Sequence, residues 1–188
     1  VFSGHADSVS CGGFTPNGRR IVTGSLDGTL KLWDPRTAQC LHTFNGHGWH
    51  EAGAGVLALD FLRGDEPTVA TGAQDGTACV VRLDSRKILS KMQHAEGRRP
   101  GAQVAGGESG GAGGEDDGDD EEAEELDSVE SVQFCPANAA WLATAGTDGR
   151  VVVWEWASRS RRAVLAPPTP SPIVRVAWLK QPAYHFVT

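Results

Sequence analysis

Three segments of this chain repeat one pattern, and the repetition constrains the fold more than any other feature. Each contains a run of small and β-branched residues, an Asp-Gly pair and a second, alternating apolar run; the segments are 21–34, 69–84 and 142–155. Asp-Gly between two such runs is typical of a β-hairpin, because the turn needs positive φ angles that glycine adopts readily. Each segment therefore predicts two antiparallel strands.

A further strand is predicted on either side of each hairpin. The preceding strand ends in a phenylalanine, at Phe14, Phe61 and Phe134, at a nearly constant separation from the Asp-Gly pair. The following strand is short, as in residues 40–44. Four short antiparallel strands per repeat are typical of a β-propeller blade, so the chain is predicted to be all-β.

The repeats resemble those of the WD40 family. The first copy has the family motifs almost unchanged, the second has Val81 where the family has tryptophan, and the third opens with a degenerate Gln93-His94. The motifs are Gly4-His5, Asp27-Gly28 and Trp33-Asp34 in the first copy, Gly46-His47 and Asp75-Gly76 in the second, and Asp148-Gly149 and Trp154 in the third. The resemblance implies a WD40 β-propeller.

The array of repeats is incomplete. A fourth copy begins near residue 173 and stops in mid-blade, which gives about 3.5 four-stranded blades, whereas closed propellers typically have four to eight. We therefore expect the sequence to be part of a longer protein. The predicted division is 1–96 for the first two repeats, 97–127 for a Gly-rich, acidic insertion, and 128–188 for the third repeat and the start of a fourth.

In the WD40 family, residues at matching positions form a buried hydrogen-bond chain from Asp through His and a hydroxyl to Trp. The resemblance implies the same structural network here, with either Thr23 or Ser25 as the first hydroxyl. The second copy lacks the tryptophan and is expected to have a weaker network, since partly satisfied buried networks are costly. The predicted members are His5, Thr23, Ser25, Asp27, Trp33, His47, Thr71, Asp75, Thr144, Asp148 and Trp154.

No catalytic, cofactor or metal site is predicted. His5, Ser25 and Asp27 have the residue types of a hydrolase triad, but the structural network accounts for them. The glycine runs lack the Gly-Lys-Ser/Thr of a phosphate-binding loop, and the acidic run lacks the residue order of an EF-hand. The four cysteines contain no Cys-x-x-Cys pair. We therefore predict a protein that is not an enzyme.

The net charge of −7 originates in one segment, because the insertion is acidic and the rest of the chain is mildly basic. A run of like charges among glycines cannot bury enough apolar surface to fold, so the insertion is predicted to be disordered. Either it is a solvated spacer or it attracts a basic partner. The candidate partner-binding residues are Glu115, Asp116, Asp117, Asp119, Asp120, Glu121, Glu122, Glu124, Glu125 and Asp127.

Within the WD40 family the chain is most similar to the angio-associated migratory cell protein group. The similarity rests on residues 2–19 and on the acidic insertion followed by residues 127–135. Fungal relatives in that group are chaperones for a large-subunit ribosomal protein. The resemblance thus implies a chaperone or assembly factor for a basic client. The sequence has no Asn-x-Ser/Thr acceptor, which agrees with the prediction of a cytoplasmic protein with the nucleus as a second location.

The alternative is a generic WD40 adaptor in signalling or ubiquitin-ligase complexes. The charge of the partner distinguishes the two, because a chaperone of this kind binds basic clients and an adaptor binds acidic or phosphorylated peptides. In both cases we expect a protein partner, a monomer within a complex and no direct contact with nucleic acid. No run of about 18 apolar residues occurs, so no membrane partner is predicted.

Overall fold

The computed structural model describes residues 1–45, 48–64, 66–94, 127–169, 171–178 and 186–187. Every regular element in this part of the chain is a β-strand, so the predicted all-β class is confirmed. None of the described residues belongs to a helix long and apolar enough to cross a membrane. The strands are β1 (Val9–Phe14), β2 (Ile21–Ser25), β3 (Leu30–Trp33), β4 (Cys40–Phe44), β5 (Val56–Phe61), β6 (Thr68–Ala73), β7 (Thr77–Arg82), β8 (Lys87–Gln93), β9 (Val129–Phe134), β10 (Trp141–Gly146), β11 (Val151–Glu155), β12 (Ser160–Leu165), β13 (Ala177–Trp178) and β14 (Phe186–Val187).

The strands form three four-stranded antiparallel sheets in chain order, and a final two-stranded pair. Sheet 1 contains β1–β4, sheet 2 contains β5–β8, and sheet 3 contains β9–β12; β13 pairs with β14. The predicted hairpin turns form, with φ angles of 77° at Gly28, 71° at Gly76 and 74° at Gly149. These sheets are the blades of an incomplete propeller, as predicted. The insertion predicted to be disordered lies outside the described residues except for Asp127.

The register of the sheets places their connections at two ends. In sheet 1, Phe14 pairs with Ile21 and Ile21 pairs with Trp33, so connections 15–20 and 34–39 lie at the same end. The other end holds the Asp-Gly turn and the entry to β1. We call one end the opposite rim; it is formed by the β1–β2, β3–β4, β5–β6, β7–β8, β9–β10 and β11–β12 connections. We call the other end the Asp-Gly rim; it is formed by residues 1–8 and by the β2–β3, β4–β5, β6–β7, β8–β9, β10–β11 and β12–β13 connections.

Like ends of the sheets coincide across the molecule. The Asp60 carboxylate at the end of β5 accepts a hydrogen bond from the backbone N–H of Phe134 at the end of β9, at 2.8 Å. The Gln133 side chain in turn accepts one from the N–H of Trp178, at 2.7 Å. A Cβ at Gly13 in β1 would likewise lie 3.0 Å from the ring of Phe61 in β5. The first strands therefore run side by side, and each rim is continuous from sheet to sheet.

Three apolar layers lie between successive sheets and hold them together. Between sheets 1 and 2, for example, Val22 and Leu30 pack in the same cluster as Val69 and Val81. Burial of such surface contributes about 25 cal/mol per Å². Glycine allows neighbouring sheets to approach each other closely. A Cβ at Gly72 in sheet 2 would lie 2.6 Å from Cγ1 of Val129 in sheet 3.

Sheet 1 has an uncovered face. The ring of Phe14 is 60% exposed, whereas Phe134, at the same position in sheet 3, is 4% exposed. Sheet 2 packs over Phe134, and no described segment packs in that way over Phe14. The side of sheet 1 that faces away from sheet 2 is therefore the open end of the array.

A candidate binding rim and the networks beneath it

The first sheet contains a hydrogen-bond chain that links its Asp-Gly turn to the segment before β1. The Trp33 indole donates to Thr23 Oγ1 at 2.8 Å, and Thr23 Oγ1 lies 2.7 Å from His5 Nε2. His5 Nδ1 lies 2.9 Å from Asp27 Oδ2. The Asp27 carboxylate can only accept, so Nδ1 donates to it. With the ring proton on Nδ1, Nε2 accepts the hydroxyl proton of Thr23, and Thr23 Oγ1 in turn accepts from Trp33. Every member of the chain thus has a partner.

The sequence left open whether Thr23 or Ser25 supplies the hydroxyl of this network, and the residue that does so is Thr23. Ser25 Oγ instead donates to the backbone carbonyl of Asp7 and accepts from the N–H of Asp27, both at 3.1 Å. Ser25 is fully buried and has no hydrogen bond to His5, so the triad of residue types is not assembled as a nucleophile and base. The role of Ser25 is to close the turn.

In the second sheet, the histidine between the hydroxyl and the carboxylate is His50. Its Nε2 lies 2.9 Å from Thr71 Oγ1, and its Nδ1 lies 2.7 Å from Thr77 Oγ1 and 3.5 Å from Asp75 Oδ1. His47, the predicted member, lies outside the described residues. Val81 has no donor to offer Thr71, so this network lacks the indole link of the first.

Trp49 provides a link that the sequence analysis did not assign. Its indole N–H donates to the backbone carbonyl of Gly28, in the Asp-Gly turn of sheet 1, at 2.9 Å. Its ring packs edge-on against His50, with centroids 4.5 Å apart, and the side chain is 2% exposed. An aromatic residue from the β4–β5 connection therefore joins two neighbouring blades.

The third sheet contains all four members of the network, although Asp148 Oδ2 is buried without a hydrogen-bond partner among the described residues. The Trp154 indole donates to Thr144 Oγ1 at 2.9 Å, and His94 Nδ1 lies 2.7 Å from the same oxygen. His94 Nε2 lies 3.2 Å from Asp148 Oδ1. His94 was noted only as part of a degenerate repeat opening, so its place in the network is an addition to the predicted set.

Sequence separation is the signal that could have identified the histidine of sheet 2. His5 precedes Thr23 by 18 residues and His50 precedes Thr71 by 21, whereas His47 is three residues farther away. The sequence separation does not identify the histidine of sheet 3, because the insertion places His94 50 positions before Thr144. The threonine after Asp-Gly in the first two copies was also missed; both Thr29 and Thr77 donate to the preceding carboxylate at 2.7 Å.

The network carboxylates stay ionised at neutral pH. Burial raises the pKa of Asp27, Asp75 and Asp148, but hydrogen bonds to their oxygens outweigh burial, and the pKa of each lies below its ordinary value. The hydrogen bonds that lower the pKa most are donated by Thr29 to Asp27, by His50 to Asp75 and by His94 to Asp148. The Asp-Gly rim therefore keeps these negative charges.

The described part of the Asp-Gly rim is acidic beyond its networks. Asp7 and Glu51 are exposed and Asp127 is half-buried. The lysines and arginines in the described connections of this rim are Arg150 and Arg175, fewer than its acids. The rim acids are Asp7, Asp27, Glu51, Asp75, Asp127 and Asp148.

The acidic insertion is attached to this rim at both of its ends. It leaves after His94, whose ring is in the third network, and the described chain resumes at Asp127, just before β9. Of the candidate partner-binding residues, only Asp127 is described; those at 115–125 lie outside the described residues. In the described part of the chain, no group of three or more His, Cys, Asp or Glu side chains could hold a metal ion.

Comparison with known proteins agrees with the repeat pattern. The family model described as "WD domain, G-beta repeat" matches residues 1–34, 38–81 and 124–155. The chain is 46% identical over 48 residues to the mouse "Ribosome biogenesis protein BOP1", an alignment that covers 26% of this chain and 7% of that protein. It is 30% identical over 89 residues to the human "Angio-associated migratory cell protein", covering 47% of this chain and 20% of that protein.

A third relative is the "WD repeat-containing protein 89 homolog" of Dictyostelium discoideum, 30% identical over 92 residues. This alignment covers 49% of the chain and 23% of the relative. The chain therefore spans less than a quarter of the length of each of these three proteins. The comparisons assign the repeats and indicate no catalytic family.

Proposed function

Because this chain belongs to the WD40 repeat family, whose fold is typical of non-enzymatic scaffolds for protein interactions, we propose that it binds a basic protein client. The client is a protein such as a large-subunit ribosomal protein, and the chain acts as a chaperone or assembly factor for it. The observation behind this proposal is the charge of the Asp-Gly rim, together with the acidic insertion attached to it.

The proposed mechanism is electrostatic capture followed by contact on a rigid surface. A nascent basic segment is attracted to a surface of opposite charge, which raises its association rate and limits its contact with other polyanions. The networks anchor the segments that carry the exposed acids Asp7 and Glu51, because the backbone N–H groups of Ala6 and Glu51 donate to the carboxylates of Asp27 and Asp75. The exposed acids are therefore held in place before the client arrives. A rigid surface loses little conformational entropy on binding.

Similarity to two relatives supports the choice of client. One relative is named for ribosome biogenesis, and the chain resembles it over about one repeat. The other belongs to the group whose resemblance suggested a chaperone, and its alignment covers about half of the chain. Both similarities are consistent with a ribosomal protein as the client. Ribosomal proteins are rich in basic residues because they bind RNA in the assembled ribosome.

The role of the insertion is tested by association kinetics with a labelled, lysine- and arginine-rich peptide. One variant replaces the acids at 115–125 with their amides and keeps the length; a second deletes residues 106–126. We expect both to slow association at low salt to a similar extent, and the difference from the wild type to shrink near physiological salt, where the Debye length is about 8 Å.

The amide variant separates charge from length. If only the deletion slows association, the segment acts as a spacer and its acids do not capture the client. If neither variant changes the association rate at low salt, the insertion has no part in capture. Circular dichroism of both variants should match the wild type, because none of the strands from β1 to β12 contains an altered residue.

A further inference from the structure

The opposite rim has the reverse charge. The connections at this end and the strand ends beside them hold more bases than acids, although the β9–β10 connection holds neither. The acids are Asp34, Glu66, Asp84 and Glu155 among the described residues, and Asp65, which lies outside them. The bases in or beside these connections are Arg19, Arg20, Arg36, Arg63, Arg82, Arg86, Lys87 and Arg159.

Ion pairs occupy most of the acids but few of the bases. Asp34 pairs with Arg20 at 3.2 Å, and Glu66 pairs with Arg82 at 2.6 Å. Glu155 pairs with Arg162 at 3.2 Å. Among the described residues no ion pair is formed by the exposed side chains of Arg19, Arg36, Arg63, Arg86, Lys87 and Arg159. The rim therefore presents an excess of accessible positive charge.

These cations form an arc across the molecule and not a single cluster. Arg19 and Arg36 belong to sheet 1, Arg63 and Arg86 to sheet 2, and Arg159 to sheet 3. Because the first strands run side by side, these connections lie on one continuous rim. A linear polymer with a charge at each unit fits such an arc better than a short acidic peptide, which reaches only one or two connections.

The chemistry of the side chains favours phosphate. A guanidinium presents a planar fork of donors that matches phosphate oxygens, and it is always charged. A groove of about 290 Å³ opens beside Arg63, but Phe134 and Trp178 in its walls are 4% and 7% exposed and Asp60 also lines it, so it offers no surface on which bases could stack. The guanidinium groups are therefore the contacts that a polyanion would use on this rim.

We propose that the opposite rim binds RNA through its phosphate backbone, without strong sequence preference. The acids of the Asp-Gly rim do not oppose this, since they lie at the other end of the strands. The chain would then present two surfaces of opposite sign, one for a basic protein and one for a polyanion. This inference extends beyond the proposed client and does not depend on it.

The test is fluorescence anisotropy of the whole chain with a labelled single-stranded RNA of about 20 nucleotides, over a series of salt concentrations. The variant Arg19→Gln/Arg36→Gln/Arg63→Gln removes one cation from each of three connections. We expect its affinity at low salt to fall about tenfold or more. The slope of log K against log salt should fall by about 0.7 for each lost phosphate contact.

A matched pair of single variants locates the surface. Arg36→Gln removes an exposed cation from the opposite rim, and Arg150→Gln removes one from the Asp-Gly rim. We expect Arg36→Gln to reduce the affinity and the salt slope, and Arg150→Gln to leave both unchanged. Urea unfolding of each variant checks that the sheets are intact.

Three results would overturn the proposal. The wild type could fail to bind the RNA at low salt, or the triple variant could bind as tightly and with the same slope. A polyglutamate peptide of similar charge could compete more strongly than unlabelled RNA, which would identify the rim as a surface for acidic proteins.

Discussion

At the scale of single residues, the hydroxyl of Thr23 is the branch point of the first network. It contacts both Trp33 and His5, so one oxygen connects the inner strands to the segment before β1. The family resemblance predicted the residue types of this chain but not the choice between Thr23 and Ser25. That choice depends on the strand register, which pairs Thr23 with Lys31 in the middle of the sheet and leaves Ser25 at the turn.

The substitution Thr23→Val tests this assignment, because it keeps the shape of the side chain and removes the hydroxyl. The indole of Trp33 and the ring of His5 would lose a shared partner, and we expect the free energy of unfolding in urea to fall by about 1–3 kcal/mol. Thr37→Val is the control, since Thr37 is exposed in the β3–β4 connection and should change the stability little. Equal effects of the two substitutions would contradict the assignment.

At the scale of elements, the strands were predictable and the blade entries were not. Alternating apolar residues around Asp-Gly fix the hairpins locally, because the turn and the strand pattern are both visible in a few residues. The β4–β5 connection depends instead on contacts with another sheet: Trp49 reaches the turn of sheet 1, and His50 takes the network position expected for His47. Such long-range contacts leave no periodic signal in the sequence.

The substitution Trp49→Phe tests the link between blades. It keeps an aromatic ring beside His50 and removes the donor to the Gly28 carbonyl, which leaves that buried carbonyl without the indole. We expect a loss of about 1–3 kcal/mol in the free energy of unfolding. Trp156→Phe is the matched control, because the Trp156 indole also donates to a carbonyl, that of Ala139 at 2.8 Å, but at an exposed site.

The expected loss for the control is below about 1 kcal/mol, since water replaces an exposed hydrogen bond. A loss for Trp49→Phe that is no larger than the loss for Trp156→Phe would mean that the inter-blade hydrogen bond adds little. In that case the apolar layer between sheets 1 and 2 alone would hold the blades together.

At the scale of the whole molecule, the two rims have opposite charge. Sequence analysis assigned the acidity to one segment and a mild positive charge to the rest, and it expected no contact with nucleic acid. The register shows a second separation: connections alternate between the two ends, and among the described residues acids outnumber bases at one end, whereas bases outnumber acids in and beside the connections at the other. This separation was not recognised because it requires each connection to be assigned to a rim.

The central claim is that the Asp-Gly rim and its insertion bind a basic client. The most direct measurement is a pull-down from extract with the immobilised wild-type chain and with the variant amidated at 115–125, each washed at two salt concentrations and analysed by mass spectrometry. We predict enrichment of a basic protein, with a large-subunit ribosomal protein foremost, that is lost at high salt and reduced in the variant. Recovery of acidic or phosphorylated signalling or ligase components, unchanged in the variant, would contradict the claim.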